Sequence, residues 1–205
     1  MRHAEVTGPP ALVLGSAQPD EIADRPALAS AGVELVRRRS GGGAVVVAPG
    51  AQLWIDIWLP RDDRLWVDDV VAGATWVGDM FCAALGSLGV AGAVAHRGRA
   101  TKTEWSSLVC FAGMGPGEVS VAGRKVLGLS QRRTRAGARL QCMVLDHWDP
   151  RALTAVLALR PEDRRTAAAR TAGAAVGLDA LLPQLSGAGN RLDALARELF
   201  ARLPG

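Results

Sequence analysis

In 205 residues there are only three cysteines, three histidines and two lysines, the side chains most often used as nucleophiles, metal ligands and reactive amines. Cys82, Cys110 and Cys142 are odd in number and widely spaced, which excludes a disulfide framework and any Cys-x-x-Cys metal site. His3, His96 and His147 are too scattered to mark a metal centre. No Gly-x-Ser-x-Gly nucleophile elbow occurs. No uncharged apolar run of about eighteen residues exists, so a helical membrane span is excluded. The start, Met1-Arg2-His3-Ala4-Glu5, lacks the apolar stretch of a signal peptide. A cytoplasmic protein that does not engage membrane is therefore expected. Lysine is confined to Lys102 and Lys125, and almost all positive charge is arginine.

Apolar residues make up 49% and charged ones 21%, enough for a full core in one domain over residues 1–205 with no accessory C-terminal domain. The net charge of +4 favours acidic partners. Arg132, Arg133, Arg135 and Arg139 read as a basic loop. No aromatics interleave with them to stack bases, so a docking face for an acidic protein is expected there rather than a nucleic-acid site.

The stretch that organises the chain is Arg37-Arg38-Arg39-Ser40-Gly41-Gly42-Gly43-Ala44-Val45-Val46-Val47. Three adjacent glycines between apolar runs are costly in backbone entropy, and they let the main chain approach a ligand closely. Successive N–H groups in such a turn form an anion-binding concavity, and the neighbouring arginines add planar donors for phosphate or carboxylate. A solvated glycine hairpin is the plainer alternative.

Around it the pattern is strand-rich. Apolar runs at 11–15, 33–39, 44–47 and 93–96 read as strands, and a helical segment is expected over 19–30. Gln52 to Leu59 alternates, with Leu53, Ile55, Ile57 and Leu59 on one face and Trp54, Asp56 and Trp58 on the other. The spacing of Val67, Val70, Val71, Ala74, Val77, Phe81, Leu85 and Leu88 predicts a long helix, with Asp68 and Asp69 near its positive end. Ala122-Gly123 predicts a hairpin turn between 118–121 and 124–129, and 140–145 reads as a further strand. Lys125 is in phase with Leu127 and Leu129, so it is expected to point with them into the interior or a cleft. Helices are expected from Asp149-Pro150, over 160–175, and at Leu192, Leu195, Leu199 and Leu203. The whole reads as α+β, a mixed β-sheet backed by helices.

Two stretches together resemble the lipoate–protein ligase A family. Residues 37–45 resemble its Arg-Arg-x-x-Gly-Gly-Gly-x-Val signature. Gly123-Arg124-Lys125-Val126-Leu127-Gly128-Leu129-Ser130-Gln131 resembles its second, lysine-bearing signature. The resemblance covers about Ala11 to Asp149. It implies the catalytic-domain fold shared with biotin ligases and octanoyltransferases. It also implies ATP and Mg2+, with lipoate or octanoate activated to an acyl-adenylate. The acceptor would be a lysine of a lipoyl domain, in a 2-oxoacid dehydrogenase acyltransferase subunit or a glycine cleavage H protein. By the same resemblance Arg38 and the backbone of Gly41, Gly42, Gly43, Ala44, Val45 and Val46 would hold the nucleotide, and Lys125 would contact the acyl carbonyl and the phosphate. Two departures stand out. Val46-Val47-Ala48 replaces the family's aromatic-His-Asp, and Gly137 to Cys142 lacks its later histidines. No magnesium ligand is evident; Asp56 is the one candidate. Two further readings follow. One is a transferase on the same fold that takes the acyl group from acyl carrier protein through Cys110 (Cys142 being the weaker choice). The other is a degenerate homologue that binds acyl-adenylate or a lipoyl domain without turnover.

Overall fold

A computed structural model describes residues 2–203, so the extremes of the 1–205 span, Met1, Pro204 and Gly205, lie outside the described residues. In chain order the elements are β1 (Arg2–Ala4), β2 (Ala11–Leu14), α1 (Arg25–Ala31), β3 (Glu34–Arg37), β4 (Val45–Val47), β5 (Gln52–Pro60), α2 (Ala72–Ser87), β6 (Ala93–Ala95), β7 (Val119–Val121), β8 (Arg124–Thr134), β9 (Gly137–Leu145), α3 (Pro150–Ala155), α4 (Pro161–Thr171), α5 (Leu178–Leu181) and α6 (Ala188–Ala201). They build two sheets. Six antiparallel strands run β1-β5-β9-β8-β7-β6, and three strands run β3-β2-β4, with β2 parallel to β3 and antiparallel to β4. The fold is therefore α+β, with sheets backed by helices, as expected.

The alternation of β5 has its predicted effect. Leu53, Ile55 and Ile57 bury against Val77, Phe81 and Leu85 of α2 and Leu192, Leu195 and Leu199 of α6. In the small sheet β2 and most of β4 are buried, while β3 is largely exposed. Leu12 and Leu14 join Leu28 and Leu157 on one side, while Ala11, Val13, Val45 and Val47 meet Phe111 of the 110–112 segment and Met143 and Leu145 of the large sheet on the other. That second contact sets the glycine stretch, which lies between β3 and β4, against the large sheet. α6 is tied to the end of β9 by a bidentate Arg191–Asp146 pair at 2.7 Å and 2.7 Å.

Two expectations change. The predicted basic loop at 132–139 is instead the tip of a long hairpin, in which β8 and β9 stay paired to Thr134↔Gly137. Arg133 is committed there, donating to Val67 O at 2.6 Å and lying over the Trp66 ring, and Arg139 is paired with Asp56. The long helix begins at Ala72, because Asp69 Oδ1 accepts from the N–H groups of Val71 and Ala72 at 2.8 Å each and starts it there. The run 108–111 forms a turn leading into a short 3₁₀ segment at Cys110–Ala112. Trp54 is half-buried against the small sheet, and Trp58 is 55% exposed.

His147 Nδ1 lies 2.7 Å from Asp179 Oδ2, and that hydrogen bond holds the imidazole pKa above its usual value. A raised folded pKa stabilises below the unfolded pKa of about 6.5, and the effect is lost as pH rises through the folded value. Urea midpoints should thus favour the wild type over His147→Gln at pH 5.5 and converge by about pH 8. The site is exposed, so the gain is on the order of a few tenths of a kcal/mol.

Candidate active site

Lys125 enters the site through a break in pairing. β7 and β8 match Val121↔Arg124 and Ser120↔Lys125, then slip to Val119↔Leu127, leaving Val126 as a bulge. The slip separates Lys125 from Leu127, while Leu129 lines the same cleft as Lys125. Leu127 joins the core under α2, whereas Lys125 reaches the other way, over the Phe111 ring at 5.1 Å. The turn is Ala122-Gly123, both at positive φ (48° and 75°), as a tight hairpin requires.

Lys125 is 2% exposed. A lysine so buried must be paired. Its Nζ makes an ion pair with Glu118 Oε1 at 2.6 Å and donates to Cys110 O at 3.0 Å and Gly113 O at 3.1 Å, which occupies all three ammonium protons. Glu118, 5% exposed, also accepts from Leu129 N at 3.0 Å and Gly115 N at 2.5 Å. One carboxylate therefore joins the 113–117 segment, β8 and the ammonium.

The glycine stretch packs onto the same neighbourhood. Ala44 N donates to Leu108 O at 2.8 Å and Cys110 N donates to Ala44 O at 3.0 Å. A Cβ on Gly43 would sit 2.6 Å from Val109 C, and one on Gly15 1.9 Å from Gly42 O, so both positions need glycine. Arg38, 9% exposed, turns inward. Its Nη2 donates to Gly41 O and Gly43 O, each at 2.8 Å, and its Nε to Gly41 O at 3.2 Å. The guanidinium thus holds the loop by its carbonyls. Among the described residues the N–H groups of Gly41, Gly42 and Gly43 have no protein acceptor. Ser40, buried, donates to Gln141 Oε1 at 2.7 Å and accepts from Ser130 Oγ at 3.0 Å, which stitches the loop to β8 and β9.

Gly41, Gly42, Gly43, Cys110, Glu118 and Lys125 line one cleft of about 390 Å³, whose wall also includes Lys102, Met114 and Val70. Ala44, Val45 and Val46 continue from the loop into β4; Ala44 and Val45 are buried, and Val45 faces a narrow recess shared by Arg38, Trp54 and Cys110. A larger groove of about 770 Å³ between α3 and α4 contains none of these residues and is walled by alanine, proline and arginine. The smaller cleft, where polar groups converge, is the candidate site. Cys142 is buried in the sheet–helix core, and burial pushes its thiol pKa far up, so it is a packing residue. Asp56 is committed to Arg139 and lies outside the cleft. Among the described residues no group of three His, Cys, Asp or Glu side chains could hold a metal. The residues at the cleft do not fit a magnesium site of their own, and no step is assigned to one.

Glu118, Ser40, Ser130 and Gln141 were not singled out by sequence reading. Glu118 had a signal: it lies two residues before Ser120, the partner of Lys125 across the hairpin, and so falls near the lysine.

The glycine loop, whose amides have no protein acceptor among the described residues, and a buried lysine on the antiparallel sheet line one and the same cleft. Residues 6–190 match the family model of the lipoyl protein ligase A/B catalytic domain, and the chain belongs to that family. No curated protein matches the sequence. Among solved structures, a bi-partite lipoate protein ligase from Thermoplasma acidophilum, described with its E2 lipoyl domain, is similar at 20% identity, over 94% of this chain and 67% of that one, with a TM-score of 0.69. A lipoate-protein ligase A bound with ATP is 23% identical over 95% of this chain and 78% of that one, at 0.57. A putative lipoate protein ligase from T. acidophilum with bound lipoic acid is 20% identical over the same shares, at 0.56. At these identities the likeness concerns the fold.

Proposed function

We propose that the chain activates lipoate or octanoate with ATP and passes the acyl group to a lysine of a lipoyl domain. The observation that carries this is the convergence of the unpaired Gly41–Gly43 amides and the Lys125 ammonium on one cleft. Relatives of the same fold described with ATP, with lipoic acid and with a lipoyl domain support the choice of ligands.

In the first step a carboxylate oxygen of the acid attacks the α-phosphorus, the bond to pyrophosphate breaks, and an acyl-adenylate forms. In the second, the acceptor amine attacks the acyl carbonyl, the carbonyl–phosphate bond breaks, AMP leaves and the amine proton passes to solvent. Negative charge grows on the phosphate oxygens and pyrophosphate in the first step, and on the carbonyl oxygen and the departing AMP in the second. Preorganised N–H donors and an ammonium in a water-poor cleft stabilise it, each such donor being worth on the order of a hundredfold in rate. Lys125 already has three protein acceptors, so to meet substrate it exchanges the Cys110 and Gly113 carbonyls for substrate oxygens while Glu118 keeps its charge paired. No side-chain nucleophile is needed.

One observation favours a second reading. Cys110 lines the same cleft, with its sulfur near Gly42. In a transferase, its thiolate would displace the carrier thiol from an acyl thioester and then yield the acyl group to the lysine amine. Mass spectrometry of a lipoyl domain separates the two. Acylation with ATP, magnesium and lipoate supports the ligase. Acylation only with octanoyl–acyl carrier protein, lost in Cys110→Ser, overturns it in favour of the transferase. No acylation in either case, with folded protein, leaves a binding homologue and overturns both.

A further inference from the structure

The cleft has a cation that neither the motifs nor the proposed chemistry uses. Lys102 lines it, is exposed, and has no hydrogen-bond or ion-pair partner among the described residues. Of the other cations near the glycine loop, Arg39 is exposed and lies outside the cleft lining, while Lys125 and Arg38 are committed to the protein. Lys125 is held by Glu118 and two carbonyls, and Arg38 by the carbonyls of the loop itself. Of the charged residues lining the cleft, Glu118 and Lys125 neutralise each other, which leaves the charge of Lys102 uncompensated.

Its backbone, by contrast, is fixed on both sides. Thr101 pairs with Met114 through two hydrogen bonds, N to O at 2.7 Å and the reverse at 3.0 Å. Thr103 donates through Oγ1 to Ala112 O at 2.8 Å. A long flexible cation is thus displayed from a pinned strap that is bonded to the 112–114 segment, whose Gly113 carbonyl is one of the acceptors of Lys125. It lines the same cleft as Gly41, Gly42 and Gly43, whose N–H groups have no protein acceptor among the described residues.

We infer that Lys102 is the phosphate ligand of this cleft, closing over an anionic phosphate group whose other oxygens meet the Gly41–Gly43 amides. A hydrated point charge on a four-carbon stem suits a phosphate that must arrive and leave. This rests on the cleft being the acyl-activation site. The phosphate has two possible sources, the polyphosphate of ATP and the phosphodiester of a carrier's phosphopantetheine arm, and the test separates them.

Because the chain has two lysines, protein labelled with 13C at lysine Cε gives two resonances, and Lys102→Gln assigns them. Titration with inorganic pyrophosphate is expected to shift the Lys102 resonance saturably. Lys102→Gln should weaken pyrophosphate binding about tenfold, the loss of one charge-assisted contact, and Lys102→Arg should restore most of it. The contact is exposed, so the difference should shrink as salt rises. Equal affinity in wild type and Lys102→Gln, or a shift confined to Lys125, overturns the assignment. If ATP moves the Lys102 resonance and Lys102→Gln raises the KM for ATP but not for lipoate, the phosphate is the nucleotide's. If ATP leaves it still and 4′-phosphopantetheine moves it, the phosphate is a carrier's, and the assignment stands while ATP activation falls. Pyrophosphate binding through Lys102 in a protein that acylates nothing would likewise sink the proposed activity alone.

Discussion

Lys125→Ala is expected to be the most damaging single substitution in the chain, to stability as well as to activity. It removes the counterion of Glu118, a carboxylate 5% exposed that keeps only the N–H groups of Leu129 and Gly115. Breaking a buried pair by deleting one partner costs about 3–5 kcal/mol. At about 2–4 °C per kcal/mol for a chain of this size, the melting temperature should fall by roughly 10 °C. The double substitution Lys125→Met with Glu118→Leu removes both charges and keeps apolar volume, and it should recover most of the lost stability. Acyl transfer should not recover, because the ammonium that meets developing negative charge is gone, a loss on the order of a hundredfold or more. Thermal unfolding by circular dichroism and acylation of a lipoyl domain, run on the same samples, separate the two effects. A Lys125→Ala protein melting with the wild type would show that the Glu118–Lys125 pair is not the buried contact described. A double variant that regains both stability and acyl transfer would remove Lys125 from the chemistry.

Gly43→Ala should be the second largest effect, and Gly41→Ala nearly silent. A Cβ on Gly43 would lie 2.6 Å from Val109 C, 2.7 Å from Cys110 N and 2.8 Å from Val109 N. These are main-chain atoms that cannot rotate away, so the loop must lift from the 108–110 segment. Overpacking of this kind costs about 1–3 kcal/mol. The lift also displaces the Gly43 carbonyl from Arg38 and moves the loop amides relative to Lys125. Activity should therefore fall further than stability. Gly41 has no atom within 4 Å of an added Cβ and does not sit at positive φ. Equal melting temperatures and turnover for the two variants would mean that close packing on Val109 and Cys110 does not position the loop.

Much of this arrangement was legible in the sequence. The alternation of β5, the Ala122-Gly123 turn and the glycine stretch each carry local information, because backbone conformational preference and side-chain periodicity act over a few residues. So do Arg38 and Lys125 as residues of interest. Their orientations were not legible. Arg38 turns to carbonyls of its own loop, and Lys125 departs from Leu127 because one bulged residue resets the alternation. A bulge is decided by how β7 and β8 pack, and no residue near Val126 announces it. The arginines of 132–139 misled for a related reason. Charge suggests a loop, yet the β8–β9 ladder continues beneath the charged side chains.

By itself the sequence determined the α+β class, the hairpin that bears Lys125, the need for glycine before β4 and the absence of a disulfide or Cys-x-x-Cys framework. These follow from local stereochemistry and composition. Only the tertiary structure decided that Glu118, seven positions before Lys125, is its counterion, that the carbonyls of Cys110 and Gly113 complete the ammonium's shell, and that Lys102 is left as the cleft's uncommitted cation. The physical reason is burial. Removing a charge from water forces every donor to find an acceptor, and which acceptors are in reach depends on how the 108–117 segment is folded against the glycine loop and the large sheet.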